Sequence, residues 1–405
     1  MEFTENMLKK ARIVADKHVC DRCLGRQFAK VGTGMTNDVR GALIREELKK
    51  MGCDAQPEEP CPLCEDVFDM LDRYADAVAE AVNSVESQNF LVGSRVEPEI
   101  AKREKELQQE LELEECESIK TELNREIGKL ALPMIHRPVE FKTPQVVACI
   151  DTRFADVTLD CSPIFIRGRY NKLSREIPQT VWPCRVCKGK GCPRCNNTGK
   201  MYQASVQEII GDIAVEMAGG KEHFFHGMGR EDIDALCLGE GRPFVLEISQ
   251  PRIREIDLDE LERRANESEL AQYHYLTFVQ RDEVQKTKDA TPTKTYRVKV
   301  KAESKVNKEA VDRAVSSFKN VCLSQRTPKR VEHRRADLVR KRTIYWVKAE
   351  NVGEDTFELT LETESGTYVK EFVSGDNGRT QPNFSDAIGT KCVVETLDVL
   401  AINDQ

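Results

Sequence analysis

Apolar positions recur at three- and four-residue spacing over Val67, Phe68, Leu71, Tyr74, Val78 and Val82, which predicts an amphipathic helix soon after residue 64. Residues 99–129 are densely charged, with a sparse stripe of Leu107, Leu111, Ile119, Leu123 and Ile127. That pattern reads as a mostly exposed helix. Gln145–Ile150 and Pro163–Arg167 look like strands, and Val206, Ile209, Ile210, Ile213 and Met217 mark a helix that stops at Gly219-Gly220. Beyond residue 290 the period changes to two over Thr295–Lys301, Thr343–Val347 and Thr356–Leu361, with a helix at about 307–320 between them. The expected fold class is α+β, with a largely antiparallel sheet in the C-terminal half.

A chain of 405 residues exceeds one ordinary core and suggests two or three domains. No apolar run reaches the roughly 18 residues of a membrane span, so no membrane partner is expected. Met1-Glu-Phe-Thr-Glu-Asn has neither a basic start nor an apolar core, so it does not read as a signal peptide, and the expected compartment is the cytoplasm. The net charge of −8 argues at first against nucleic acid, but residues 280–350 hold 20 Lys or Arg against 9 Asp or Glu. That is a local +11, which leaves −19 for the remainder and makes a directed electrostatic footprint.

Eight of the 15 cysteines form Cys-X-X-Cys pairs. Cys20, Cys23, Cys61 and Cys64 make one quartet with a long insertion. Cys184, Cys187, Cys192 and Cys195 make a tighter one, with Gly189 and Gly191 in its turn. A single Cys-X-X-Cys could serve redox exchange; four pairs in one chain fit structural zinc better. Four thiolates close the coordination shell, so both sites are expected to be structural, and no organic cofactor is expected. Cys149, Cys161 and Cys322 read as small buried hydrophobes.

The clearest chemistry lies in His226-Gly-Met-Gly-Arg-Glu-Asp-Ile-Asp234, followed by Gly239-Glu-Gly-Arg-Pro-Phe244. Glycines let the backbone turn and approach a ligand closely, and Arg230 and Arg242 could keep Asp232 ionised as a nucleophile or base. On residue types alone such a turn is more often a solvated loop or a salt-bridged corner, because structural ion pairs use the same side chains. A second element, Gln325-Arg-Thr-Pro-Lys-Arg-Val-Glu-His-Arg-Arg-Ala-Asp337 followed by Arg340-Lys-Arg342, places eight cations against two acids and suits phosphate contact.

Together these segments resemble archaeal tRNA pseudouridine synthases, specifically the family with an N-terminal zinc-binding and THUMP region that modifies the T arm. The resemblance runs along nearly the whole chain and is weakest across 85–135. Leu236-Cys237 departs from the pair usual in that family. The resemblance implies an N-terminal zinc-binding, THUMP-like accessory region over 1–170, a linker with the second four-cysteine zinc knuckle over 171–200, and a catalytic domain over 201–405. The catalytic domain would carry a mixed, mainly antiparallel sheet.

It also implies roles. Asp232 would be the essential carboxylate, Tyr296 would stack on a flipped uracil, and Tyr368-Val369-Lys370 would set a cation beside Asp232. Strand alternation would send Tyr368 and Lys370 to one face. Arg230, Arg326, Arg330, Arg334 and Arg335 would contact substrate. The implied substrates are uridines 54 and 55 of tRNA, with the acceptor end open as a second contact, and no obligate protein partner is indicated. Rival readings are a non-catalytic RNA-binding protein, a methyltransferase, which lacks the needed Gly-rich strand-loop-helix unit, and a metal nuclease, for which Asp232 and Asp234 are too few carboxylates.

Overall fold

In the computed structural model, residues 3–32, 34–114 and 116–403 are described, apart from the side chain of Arg334. The chain forms two compact units, Met1–Ser162 and Pro163–Gln405.

The first unit opens with helices α1 (Glu5–Ala15), α2 (Asp21–Arg26), α3 (Asn37–Lys50) and α4 (Leu71–Asn83). Strand β1 (Phe90–Arg95), helices α5 (Pro98–Glu110) and α6 (Ile119–Ile135), and strands β2 (Val146–Asp151) and β3 (Asp156–Cys161) follow. The three strands form one sheet in chain order, β1 parallel to β2 and β2 antiparallel to β3. The stripe expected after residue 64 becomes a short 3-10 turn at Val67–Met70 running into α4, which buries Tyr74, Val78 and Val82.

The single exposed helix expected over 99–129 is instead two helices, each with a buried face. Ile100 and Leu107 of α5, and Ile119, Leu123 and Ile127 of α6, are buried in the unit's core. A charge arrangement invisible in the periodicity draws them in. Arg26 is fully buried, and its guanidinium donates to Glu104 Oε1 at 2.7 Å and to Glu122 Oε2 at 3.0 Å. Glu104 Oε2 in turn accepts the N–H of Ile119, the first residue of α6, at 2.7 Å. The two acids that made these helices look solvated are the ones that anchor them.

The second unit contains β4 (Ile164–Lys172), α7 (Val206–Ala218), β5 (Glu222–Gly227), β6 (Leu236–Ser249), α8 (Leu258–Ala265), β7 (Ala271–Val279) and α9 (Asp282–Asp289). It continues with β8 (Thr293–Ala302), α10 (Lys308–Ser316), β9 (Val321–Arg326), β10 (Val339–Glu350) and β11 (Thr356–Thr363). It closes with α11 (Val369–Ser374), β12 (Thr380–Gln381), α12 (Phe384–Ile388) and β13 (Cys392–Asn403). Helix α7 ends where expected, on Gly219 at φ +57°, a left-handed cap that an L side chain rarely adopts.

Ten strands make one sheet in the order β12-β9-β10-β11-β8-β13-β6-β4-β7, with β5 also paired to β6. Among the described residues every pairing is antiparallel except β13 with β6, which is parallel over Asp398–Leu236 and Val399–Cys237. The sheet is therefore mixed and mainly antiparallel, as expected. It carries two hydrophobic cores, one under β4, β6, β7, α7 and α8, the other under β8–β11, α10, α11 and α12. Tyr296 packs against both, which places it at the seam.

Three further expectations change. The boundary falls at 162/163 rather than 170/171, because β4 is hydrogen-bonded between β6 and β7 of the larger sheet. Residues 171–200 are likewise part of this unit rather than a linker. Cys322 is exposed, not buried: on β9 the period of two sends Leu323 and Gln325 inward and Cys322 outward. Cys161 is buried and Cys149 half-buried.

Arg26→Met should destabilise the first unit by about 3–5 kcal/mol, because Glu104 and Glu122 would remain buried without their counter-charge. Denaturant unfolding of the full chain checks this; a loss under about 1 kcal/mol would show that the pair relaxes to water.

Candidate active site and metal centres

A cleft of about 700 Å³ opens in the second unit at the seam between the two halves of the sheet. Its walls come from the loop between β5 and β6 (Arg230–Asp234), from β8 (Lys294, Tyr296) and β13 (Leu397, Val399), and from the start of α11 (Tyr368, Val369, Lys370). Arg330, Val331 and Arg335 close it from the turn after β9.

The β5–β6 loop is held by a buried polar network. The side chains of Glu231 and Arg242 are each 1% exposed and pair at 2.9 Å. Glu231 also accepts from the Tyr170 hydroxyl at 2.8 Å, and Arg242 Nη1 donates to the Met228 carbonyl at 2.9 Å. Gln179 Nε2 reaches both the Tyr170 hydroxyl (2.8 Å) and the Gly229 carbonyl (3.0 Å). Lys172, fully buried, donates to the carbonyls of Ile233 (2.5 Å) and Asp232 (3.4 Å). Gly229 sits at φ +76°, a backbone conformation that an L side chain rarely adopts, and a Cβ there would crowd Lys294 Nζ at 3.0 Å. With Glu231 pinned inward, its neighbour Asp232 faces the opening.

Asp232 is half-exposed between two cations. Its Oδ2 lies 3.4 Å from Arg330 Nη1 and 3.5 Å from Lys370 Nζ. Lys370 is closer to Asp234, at 2.9 Å. Burial raises the carboxyl of Asp234, but the Lys370 ammonium outweighs it and holds it below the usual carboxylate range. Arg330 is braced from behind by Glu371, with Nε to Oε1 at 2.7 Å. Lys370 therefore serves two aspartates, and Arg330, expected on the RNA, stands on Asp232.

Tyr368, Val369 and Lys370 do not form a strand. Tyr368 caps α11, and Val369 and Lys370 are its first residues. All three still line the cleft because the helix starts there. The buried amide of Gln325 fixes that start, donating to the Tyr368 carbonyl at 3.0 Å and accepting its N–H at 2.9 Å. Arg335 Nη1 donates to the Tyr368 hydroxyl at 3.2 Å. Arg230 lies over the Trp182 ring, 5.0 Å from its centroid. Arg326 is not brought to the cleft: its Nε holds both carboxylate oxygens of Asp337 at 2.9 Å. The side chain of Arg334 lies outside those described.

Sequence reading passed over Lys294, Glu231, Lys172 and Gln179. Lys294 was findable, since it lies two residues before Tyr296 on a strand of period two and so shares its face. Burial, with Arg242 nearby, lowers its ammonium to about 8. Burial likewise raises the Tyr296 phenol to about 12, so it stays protonated at neutral pH.

Both cysteine quartets are assembled. Within each, the four Sγ atoms lie within 4.8 Å of one another. Cys20–Cys64 and Cys23–Cys61 are 3.8 Å apart; Cys184–Cys192 is 3.9 Å, Cys187–Cys195 3.8 Å and Cys192–Cys195 3.7 Å. A tetrahedron with metal–sulfur bonds of about 2.3 Å has edges of about 3.8 Å, so both donor sets fit structural zinc. With four thiolates the shell is closed, and the metal's contribution is to folding.

The fold and site define an RNA-modifying enzyme module joined to a zinc-bearing accessory unit. Residues 165–403 match the family described as Pus10, C-terminal, and residues 74–151 match the Pus10 THUMP domain, archaeal. The chain is 40% identical over 400 residues to the tRNA pseudouridine synthase Pus10 of Methanothermobacter marburgensis, covering 96% of each chain. It is 37% identical to that of Pyrococcus furiosus, covering 98% of each. The chain belongs to the Pus10 family of tRNA pseudouridine synthases.

Two outcomes are expected. The purified chain should carry two zinc equivalents, and Cys187→Ser should lower this to one by atomic absorption. Below pH 8 Lys294 carries its charge in the free enzyme, and above it the charge is lost. kcat/KM for RNA should therefore fall as pH rises from about 7 to about 9. Lys294→Met should lower kcat/KM about tenfold at neutral pH and remove the break near 8; an unchanged break would assign it to another group.

Proposed function

We propose that this chain isomerises uridines 54 and 55 in the T arm of tRNA, with Asp232 as the essential carboxylate. As a family member it is an isomerase acting on uridine in tRNA. The finer reading rests on one observation above all: a single half-exposed carboxylate held by two cations in a cleft that Tyr296 also lines.

A stacked uridine cannot reach such a cleft, so the nucleotide must be turned out of the helix. Tyr296 would take the face of the uracil, and Arg230, Arg335 and Tyr368 would surround it. Two routes are open to Asp232: attack on C1′ to form a covalent intermediate, or removal of a proton from C2′ to form a glycal. In either, the C1′–N1 bond breaks, the uracil rotates, and C5 bonds to C1′ as the Asp232 carboxylate leaves C1′ or the proton returns to C2′; a base takes the C5 proton and N1 gains one. No atoms are gained or lost, which accords with a site needing no organic cofactor. Arg330 and Lys370 hold the Asp232 carboxylate oxygen in place at 3.4 and 3.5 Å, and Tyr296 can assist proton transfer at C5. The thiolate quartets suit a reducing compartment, and the cytoplasm is proposed as the setting.

Wild type should place pseudouridine at 54 and 55 of an unmodified tRNA transcript, mapped by carbodiimide adducts and primer extension. Asp232→Asn should abolish both while binding the transcript normally. Full turnover by that variant would exclude Asp232, and modification elsewhere would overturn the assignment of target.

A further inference from the structure

Beneath the cleft, buried positive charge exceeds what the protein itself neutralises. Lys172, Arg242 and Lys294 are buried there around Glu231. Arg242 pairs with Glu231 at 2.9 Å, and the Lys172 ammonium is satisfied by the carbonyls of Ile177, Asp232 and Ile233. Two further buried acids are already engaged, Asp398 by Arg175 and Glu371 by Arg330, each at 2.7 Å. Lys294 is left over. It is only 7% exposed, and among the described residues its ammonium has no hydrogen bond or ion pair. Yet it lines the cleft. An ammonium taken out of water without a partner is costly, so its natural partner is something that enters the cleft.

The fold holds this cation in one place. β8 is paired on both sides, with Lys294 opposite Thr363 of β11 and Ile402 of β13. Gly229 lies against the ammonium: a Cβ there would stand 3.0 Å from Lys294 Nζ and 3.3 Å from Arg242 Nη1. The charge is thus set against the β5–β6 loop that carries Asp232. Along β8 it stands on the same face as Tyr296, roughly 7 Å away along the strand. Asp232 is 44% exposed at its side chain and Arg330 39%, so the floor at Lys294 is deeper than either. The phosphates of a flipped nucleotide stay with the strand outside, and the base goes to the floor.

We infer that Lys294 is a catalytic residue of the isomerisation: its ammonium donates to a carbonyl oxygen of the flipped uracil and stabilises the ring anion formed when the C1′–N1 bond breaks. The inference rests on the reading of Asp232 and Tyr296 given above. When that bond breaks, its electron pair stays with the uracil, and the negative charge spreads over N1, O2 and O4. Lys294 donates a hydrogen bond to this charge and transfers no proton. The charge is discharged when C5 bonds to C1′, after which the C5 proton leaves and N1 gains one. A fixed cation facing charge that develops only during the reaction favours the transition state over the bound substrate. The ammonium, lowered to about 8 by burial, is charged at neutral pH and a stronger donor than an ordinary lysine.

The test compares two full-length tRNA transcripts, one made with uridine and one with 5-fluorouridine. Fluorine at C5 withdraws electrons and stabilises the ring anion, so the leaving group needs less help. Single-turnover rates are read as loss of the starting nucleoside after digestion, and Kd by fluorescence anisotropy. With the uridine transcript, Lys294→Met should lose about tenfold in rate while Kd and its salt dependence stay within about twofold of wild type. With the fluorinated transcript the loss should shrink to about threefold or less. The denaturation midpoint of Lys294→Met should not fall, because the ammonium has no partner in the free protein to lose. Should the methionine variant fail to fold, Lys294→Gln, which keeps an N–H without the charge, carries the same comparison. Equal rate losses on the two transcripts overturn the inference. So does a loss confined to Kd with a reduced salt slope, which would make Lys294 a phosphate contact, or a lowered midpoint, which would make it a support for the fold. These failures leave wild-type activity intact and the functional reading standing; absence of pseudouridine with wild type would overturn that reading, and this inference with it.

Discussion

The cleft depends on one buried ion pair, Glu231 with Arg242. Taking two charges out of water costs several kcal/mol per ion, and their attraction offsets this only when the remaining polar atoms are also satisfied. Here Tyr170 serves Glu231 and the Met228 carbonyl serves Arg242, so the loop between β5 and β6 is tied to β4 and β6 at once. A loop fastened at that point has little freedom, and its next residue is turned outward. The position of Asp232 follows from the burial of Glu231. The arrangement also explains why Tyr170, at the expected end of the accessory region, and Lys172 and Gln179, which look like linker in one dimension, are fully or nearly buried beneath the site.

Net charge is a poor guide to the surface that meets substrate. The chain carries −8, yet seven cationic side chains and three acidic ones line the cleft. The basic stretch around 326–342 is only partly available. Arg326 is spent on Asp337, and Arg330 on Glu371 and Asp232. Lys370 near the first turn of α11 sits at the wrong end of a helix dipole, a placement that its two aspartate partners compensate. What faces the substrate is the residue of charge left after internal pairing, and pairing is a property of three-dimensional proximity.

The metal centres show how the same donor set serves two kinds of structure. The first quartet lies within a packed core, with Cys23, Cys61 and Cys64 buried and Arg26 joining Cys23 to α5 and α6. The second stands nearly alone, with tight turns at Gly189 and Gly191, and there the metal must supply most of the order. Core in one case and exposed tip in the other is decided by the apolar residues around each quartet, of which the knuckle has almost none.

Several features were legible in the chain itself. Thiolate spacing identified both metal sites, because Cys-X-X-Cys is a local geometric requirement. Period-two alternation located β8, β10 and β11, and the glycine after Met217 located the end of α7, because these too are local. The Gly-Arg-Glu-Asp loop pointed to Asp232. Tertiary structure alone decided the rest. It made helices α5 and α6 buried rather than solvated, since Glu104 and Glu122 find Arg26 across 78 and 96 residues of chain. It turned Tyr368–Lys370 into a helix start through Gln325, placed Arg330 on Asp232, and moved β4 into the second unit. Each depends on a contact between residues distant in the chain, and a charge or a strand edge acquires its partner only when the sheet has closed around it.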